Sequence, residues 1–145
     1  MQWDRTEHAG FSTASNGSLY SPIIRGIPYG AHQVNAEDQQ RDPGSLWNTI
    51  RKMIAARKQH LAFGRGDFKW LELDNDHIAP FRRTYGGETI FAIHNLSESP
   101  ETISLSHLGD GPFTDVLSRQ QLNAQETLEL SPSQYIWLSQ VSQNR

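Results

Sequence analysis

The chain has 145 residues, 36% of them hydrophobic, and sets 13 basic side chains against 16 acidic ones for a formal charge of -3. That near-balance excludes the basic surface a nucleic-acid binder needs, and no apolar run approaches the roughly 20 residues that cross a bilayer. With no cysteine, disulfides, thiol nucleophiles and thiolate metal sites are excluded as well.

The opening MQWDRTEHAG lacks a basic start and an apolar run, so no export signal is read there and the expected location is cytoplasmic. Residues Met1 to Arg41 show almost no periodicity, yet they carry Trp3, Phe11, Tyr20, Ile23, Ile24, Ile27 and Tyr29 among many turn formers. Forty irregular residues are odd in a compact domain, which leaves two readings: an excerpt of something larger, or internal disorder. The apolar content favours the excerpt.

From Asp42 to His60 the pattern becomes helical. Asp42 is placed to cap the free N–H groups, with Pro43 at the first helical position. Leu46, Trp47, Ile50, Met53, Ile54 and Leu61 recur at spacings of three, four and seven and form one apolar stripe. Arg51, Lys52, Arg57, Lys58 and His60 suit the negative end of the helix dipole, and Gly64 offers a stop.

Beyond the helix the period shortens. Asp67 to Leu73, Ile78 to Tyr85, Thr89 to Leu96, Thr102 to Leu108, Phe113 to Leu117, Thr127 to Leu130 and Tyr135 to Leu138 read as short strands between turn signals. Gly86-Gly87 between Tyr85 and Glu88 is the clearest hairpin, because both glycines tolerate positive φ. Strands in succession without helices predict a mainly β fold, an antiparallel sandwich.

Chemistry-bearing residues are few. Asp4 and Glu7 could form a carboxylate pair for glycoside chemistry with Trp3 as an aromatic face, so Trp3 and Asp4 are the substrate-binding candidates; the plain alternative is a polar loop with a buried Trp. His8, His32, His60, His77, His94 and His107 lack ligand spacing, and Asp74-Asn75-Asp76 lacks the glycine and distal glutamate of a calcium loop, so no metal and no cofactor are expected. Asn16-Gly17-Ser18 and Asn95-Leu96-Ser97 fit the glycosylation pattern, which matters only after export. Arg65-Gly66-Asp67 reads as a connector. Trp70 and Trp137 either fill a core or interface or form a sugar platform. Arg57, in the middle of the stripe, either snorkels to water or clamps the helix through Asp67 or Glu72.

The opening MQWD followed by Ala9-Gly10-Phe11 resembles a segment of the α-amylase superfamily, glycoside hydrolase family 13, that lies between the eighth strand and eighth helix of the catalytic barrel. Leu19 to Pro22, Tyr29-Gly30, Val34-Asn35, Gln39 to Pro43, Arg57 to His60 and Ala62 to Phe68 are similar to its trehalose synthase branch, and Asn95-Leu96-Ser97 resembles a strand end of the superfamily's C-terminal sandwich. The resemblance implies a parent that isomerises maltose to trehalose as a maltose α-D-glucosyltransferase. The family's nucleophile, acid/base and sugar-binding carboxylates lie upstream of the Met-Gln-Trp-Asp run and have no counterpart here, so no catalytic residue is assigned.

Because Met1 coincides with the family's methionine, the chain is expected to be a piece of a longer protein. Residues 1–62 would then be a remnant of the (β/α)8 barrel, with its last helix at about 42–60, and residues 66–140 the C-terminal β-sandwich domain. The expected role is stabilisation of the upstream barrel, which is the expected partner, with a homo-oligomer through the exposed helix face as a further contact. The alternative is a stand-alone carbohydrate-binding sandwich.

Overall fold

A computed structural model describes residues 1–14 and 19–141. The chain divides into two compact units, Met1–Ile54 and Ala55–Arg145, and the division falls within one helix. Among the described residues no helix is long and apolar enough to cross a membrane.

The first unit is more ordered than its sequence suggests. Helix α1 (Ala36–Arg41) is capped by Asn35, whose side-chain oxygen accepts from the Asp38 amide. Its sequence AEDQQR has no apolar stripe, so periodicity could not reveal it. Gln2 bridges to Asn35 in parallel, and the Gln2 and Trp3 carbonyls accept from the Ala36 and Glu37 amides at 2.8 and 2.9 Å. The opening residues thus satisfy free donors at the start of α1.

Helix α2 (Leu46–Gln59) begins three residues later than an Asp42 cap with Pro43 at the first position implied. Asp42 instead ends α1, and its carboxylate accepts from the Gly44 amide at 2.9 Å. The working cap is Ser45, whose hydroxyl accepts from Asn48 N–H at 3.2 Å while the Gln39 side chain accepts from Trp47 N–H at the same distance. A neighbouring element supplies part of the cap, which a local reading cannot see. Nor does Gly64 stop the helix: α2 ends at Gln59, and Gly64 lies inside a short helix α3 (Ala62–Arg65).

The second unit is antiparallel β, as expected. Strands β1 (Lys69–Trp70), β2 (Ile78–Tyr85), β3 (Glu88–Asn95), β4 (Glu101–Ser104), β5 (Pro112–Asp115), β6 (Gln121–Asn123), β7 (Thr127–Leu130) and β8 (Tyr135–Val141) form two sheets. The larger has the order β1-β2-β3-β8-β5-β6, and the smaller pairs β4 with β7. Phe91 and Ile93 of β3, Phe113 of β5, and Ile136 and Leu138 of β8 meet Ile103, Leu105 and Leu130 in one core. The β2–β3 hairpin turns at Gly86 and Gly87, with φ of +59 and +83 and Tyr85 opposite Glu88. Two expected strands are altered: Leu105–Leu108 is a 3-10 turn, and the first strand shrinks to two residues. β6 was not anticipated, because QLN carries a single apolar residue.

Strand β3 is buried on both faces. Phe91 and Ile93 point into the sandwich, whereas Ile90 and Ala92, fully shielded from solvent, belong to the opposite face. There Ala92 lies beside Trp137 in the register, and the Phe63 ring of α3 packs on Trp137 at 4.7 Å. This double burial accounts for the unbroken apolar run from Ile90 to Ile93.

Candidate functional site

Trp3 and Asp4 sit in a tight loop in which the Trp3 amide donates to the Ala9 carbonyl at 2.9 Å. Gly10 closes it with φ of +75, and a Cβ there would lie 2.6 Å from Trp3 Cβ and 3.0 Å from Asp4 Oδ2. The structure therefore brings Trp3, Asp4 and Gly10 together. It engages the carboxylate as well: Asp4 Oδ1 accepts from Thr6 Oγ1 at 2.6 Å and from Thr6 N at 2.9 Å. Those hydrogen bonds, the hydroxyl's first, hold the Asp4 carboxyl below the usual range, which suits a loop anchor better than a general acid. Glu7 is exposed, and Trp3 keeps 56% of its surface in solvent, so it is not the buried Trp of the plain reading.

The same loop is fastened to α1. Arg5 pairs with Asp38 at 2.8 Å, and Asp38 also accepts from Asn35 Nδ2 at 2.5 Å. Hydrogen bonds from Asn35 and then Arg5 hold the Asp38 carboxyl low. Among the described residues, two hollows open on this unit. One, of about 410 Å³, is bounded by Met1, Gln2, Phe11 and residues 19–24; neither Trp3 nor Asp4 lines it. The other, about 340 Å³ and almost wholly apolar, runs along α2 between Met1, Trp47, Leu46, Ile50 and Ile54.

That second hollow lies on the apolar stripe read from the sequence, and part of the stripe is bare while Trp47 and Met53 are half-buried. Leu46 is 70% exposed, Ile50 44% and Ile54 48%. The three side chains form a contiguous apolar surface open to solvent. Within the second unit, by contrast, the end of α2 and α3 are packed down: Ala56, Ala62 and Phe63 are buried.

What holds that end is an arginine, though not Arg57. Arg57 is exposed and, among the described residues, pairs with neither Asp67 nor Glu72. Arg83 on β2 reaches across instead, donating through Nη1 to the Phe63 carbonyl and through Nη2 to the Gly66 carbonyl at 2.7 Å. It satisfies carbonyls that the end of α3 leaves free. Gly66 permits the approach, since a Cβ there would lie 2.6 Å from the Ala62 carbonyl oxygen. His60 Nδ1 meets Glu88 Oε1 at 2.6 Å on the same seam. Sequence gave no cue to Arg83, because its partners are backbone atoms of a turn.

The aromatic candidates separate. Trp137 is buried under Phe63 and seals the helix against the sheet, whereas Trp70 is 60% exposed beside Phe68 at 5.2 Å and Phe81 at 5.8 Å. Asn95 is buried, so its glycosylation pattern is not presented; Asn16-Gly17-Ser18 lies outside the fully described residues. Asn75 forms the expected turn, its side chain donating to Glu101 at 2.8 Å, and Arg65-Gly66-Asp67 is the expected connector. Among the described residues no three His, Asp or Glu side chains cluster as metal ligands would.

Comparison with known proteins agrees with this architecture. Residues 68–137 match the family described as Maltogenic Amylase, C-terminal domain. The chain is 39% identical over 108 residues to the trehalose synthase/amylase TreS of Mycobacterium tuberculosis, covering 72% of this chain and 18% of that protein. It is 34% identical over 106 residues to the trehalose synthase of Thermus thermophilus, covering 72% of this chain and 11% of that protein. The fold is shared with trehalulose synthase MutB from Pseudomonas mesoacidophila, with a TM-score of 0.72 at 22% identity over 97% of this chain and 24% of that one. The chain thus spans less than a fifth of the length of these curated relatives. It belongs to the α-amylase superfamily, glycoside hydrolase family 13, and corresponds to the C-terminal portion of its enzymes, most like that of the trehalose synthases.

Proposed function

We propose that this chain is the non-catalytic C-terminal portion of a trehalose synthase-like enzyme, and that its role is to stabilise the catalytic barrel. The parent would isomerise maltose to trehalose by intramolecular glucosyl transfer. The observation that carries this reading is the bare stripe Leu46, Ile50 and Ile54 on α2. Such a helix is built to be covered, and upstream barrel elements are its natural cover. A second copy of this chain is the other occupant we consider, giving a homo-oligomer through the same face.

Retaining glycoside chemistry needs two carboxylates about 5 Å apart on a rigid frame. Asp4 is committed to Thr6 and Glu7 is exposed, which supports a silent chain. Trp3 and Asp4 are then loop residues whose contribution to a sugar site depends on the barrel around them.

The test is co-expression of this chain with the barrel portion of the Mycobacterium tuberculosis relative. Co-purification and conversion of maltose to trehalose, with no turnover by this chain alone, is the expected result. Turnover by this chain alone, abolished by Asp4→Asn, would overturn the reading. The exposure of Trp70 and Phe68 favours a second reading, a stand-alone carbohydrate-binding sandwich; saturable quenching of Trp70 fluorescence by maltose, lost in Trp70→Phe, is its signature.

A further inference from the structure

We draw no further inference here: the strongest candidate, the aromatic patch that Phe68, Trp70 and Phe81 form at the β1 edge of the larger sheet, is an unpartnered apolar face, and nothing in the structure shows what covers it.

Discussion

Replacing Asn95 with alanine should destabilise the sandwich more than any other single polar substitution. Asn95 is 2% exposed, at the end of β3, and its carboxamide is fully used. Nδ2 donates to the carbonyls of Ser99 at 2.7 Å, Ser131 at 3.0 Å and Leu130 at 3.1 Å. Oδ1 accepts from the Ser97 amide and hydroxyl, both at 2.9 Å. One side chain therefore fastens the larger sheet to the end of β7 and to the turn leading into β4. At about 0.5 to 1.5 kcal/mol net per hydrogen bond, the alanine variant should lose about 3 to 5 kcal/mol. For a domain of this size that is a fall in Tm on the order of 20 °C. Urea denaturation followed by tryptophan fluorescence measures it directly.

Asn95→Asp sharpens the test. The substitution keeps the shape but sets a carboxylate oxygen against three carbonyls, so the charged form is disfavoured and the folded-state pKa must rise above the ordinary value of about 3.9. A raised carboxyl pKa destabilises at neutral pH and recovers as pH falls through that raised value, so the variant should be relatively more stable near pH 4 than near pH 7. An alanine variant within about 1 kcal/mol of wild type, or an aspartate variant with wild-type pH dependence, would refute the assignment of Asn95 as the fastening point, given the usual spread of such substitutions.

Other outcomes follow from the seam and the surface. Arg83→Met removes the donors to Phe63 and Gly66 and should cost about 2 to 3 kcal/mol, with faster amide exchange at Ala62 to Arg65. Gly66→Ala forces a Cβ to within 2.6 Å of the Ala62 carbonyl oxygen and should cost about 1 to 3 kcal/mol by the same denaturation assay. Hydrogen bonds from Asn75 and then His77 hold the Glu101 carboxyl below its ordinary value of 4.5, so its stabilising effect is present above that pH and lost as pH falls through the lower folded value. Glu101→Gln should accordingly flatten the acid limb of the stability profile. Ile50→Lys combined with Ile54→Lys should leave the melting temperature nearly unchanged while abolishing any concentration-dependent sedimentation, because both side chains are solvent-facing.

Much of the sandwich was legible because its strands alternate with turn chemistry that admits few alternatives. Gly86-Gly87 required positive φ at two adjacent positions, and the structure supplies it. β3 and β8 were legible from β-branched and aromatic runs, while β6 was not, since Leu122 is its single apolar contact with the core. The helix stripe was legible from spacing, but its start was not: Ser45 and Gln39 cap α2 together, and Gln39 belongs to a helix that has no periodicity of its own. The same limit hid the helix clamp. An arginine that donates to backbone carbonyls has no partner residue type to search for, so Arg57, marked by its place on the stripe, drew the expectation that Arg83 fulfils. Trp3 and Asp4 were found by composition, and only the loop geometry shows that the Asp4 carboxylate is spent on Thr6.

The central claim is that the apolar face of α2 was made for a barrel. Amide hydrogen exchange of this chain, alone and co-expressed with the catalytic barrel of a trehalose synthase relative, tests it most directly. The account predicts fast exchange across Leu46 to Ile54 in the chain alone, slow exchange in β2, β3 and β8, and marked protection of Leu46 to Ile54 once the barrel is present. Slow exchange across Leu46 to Ile54 in a strictly monomeric chain, unchanged by the barrel, would contradict it.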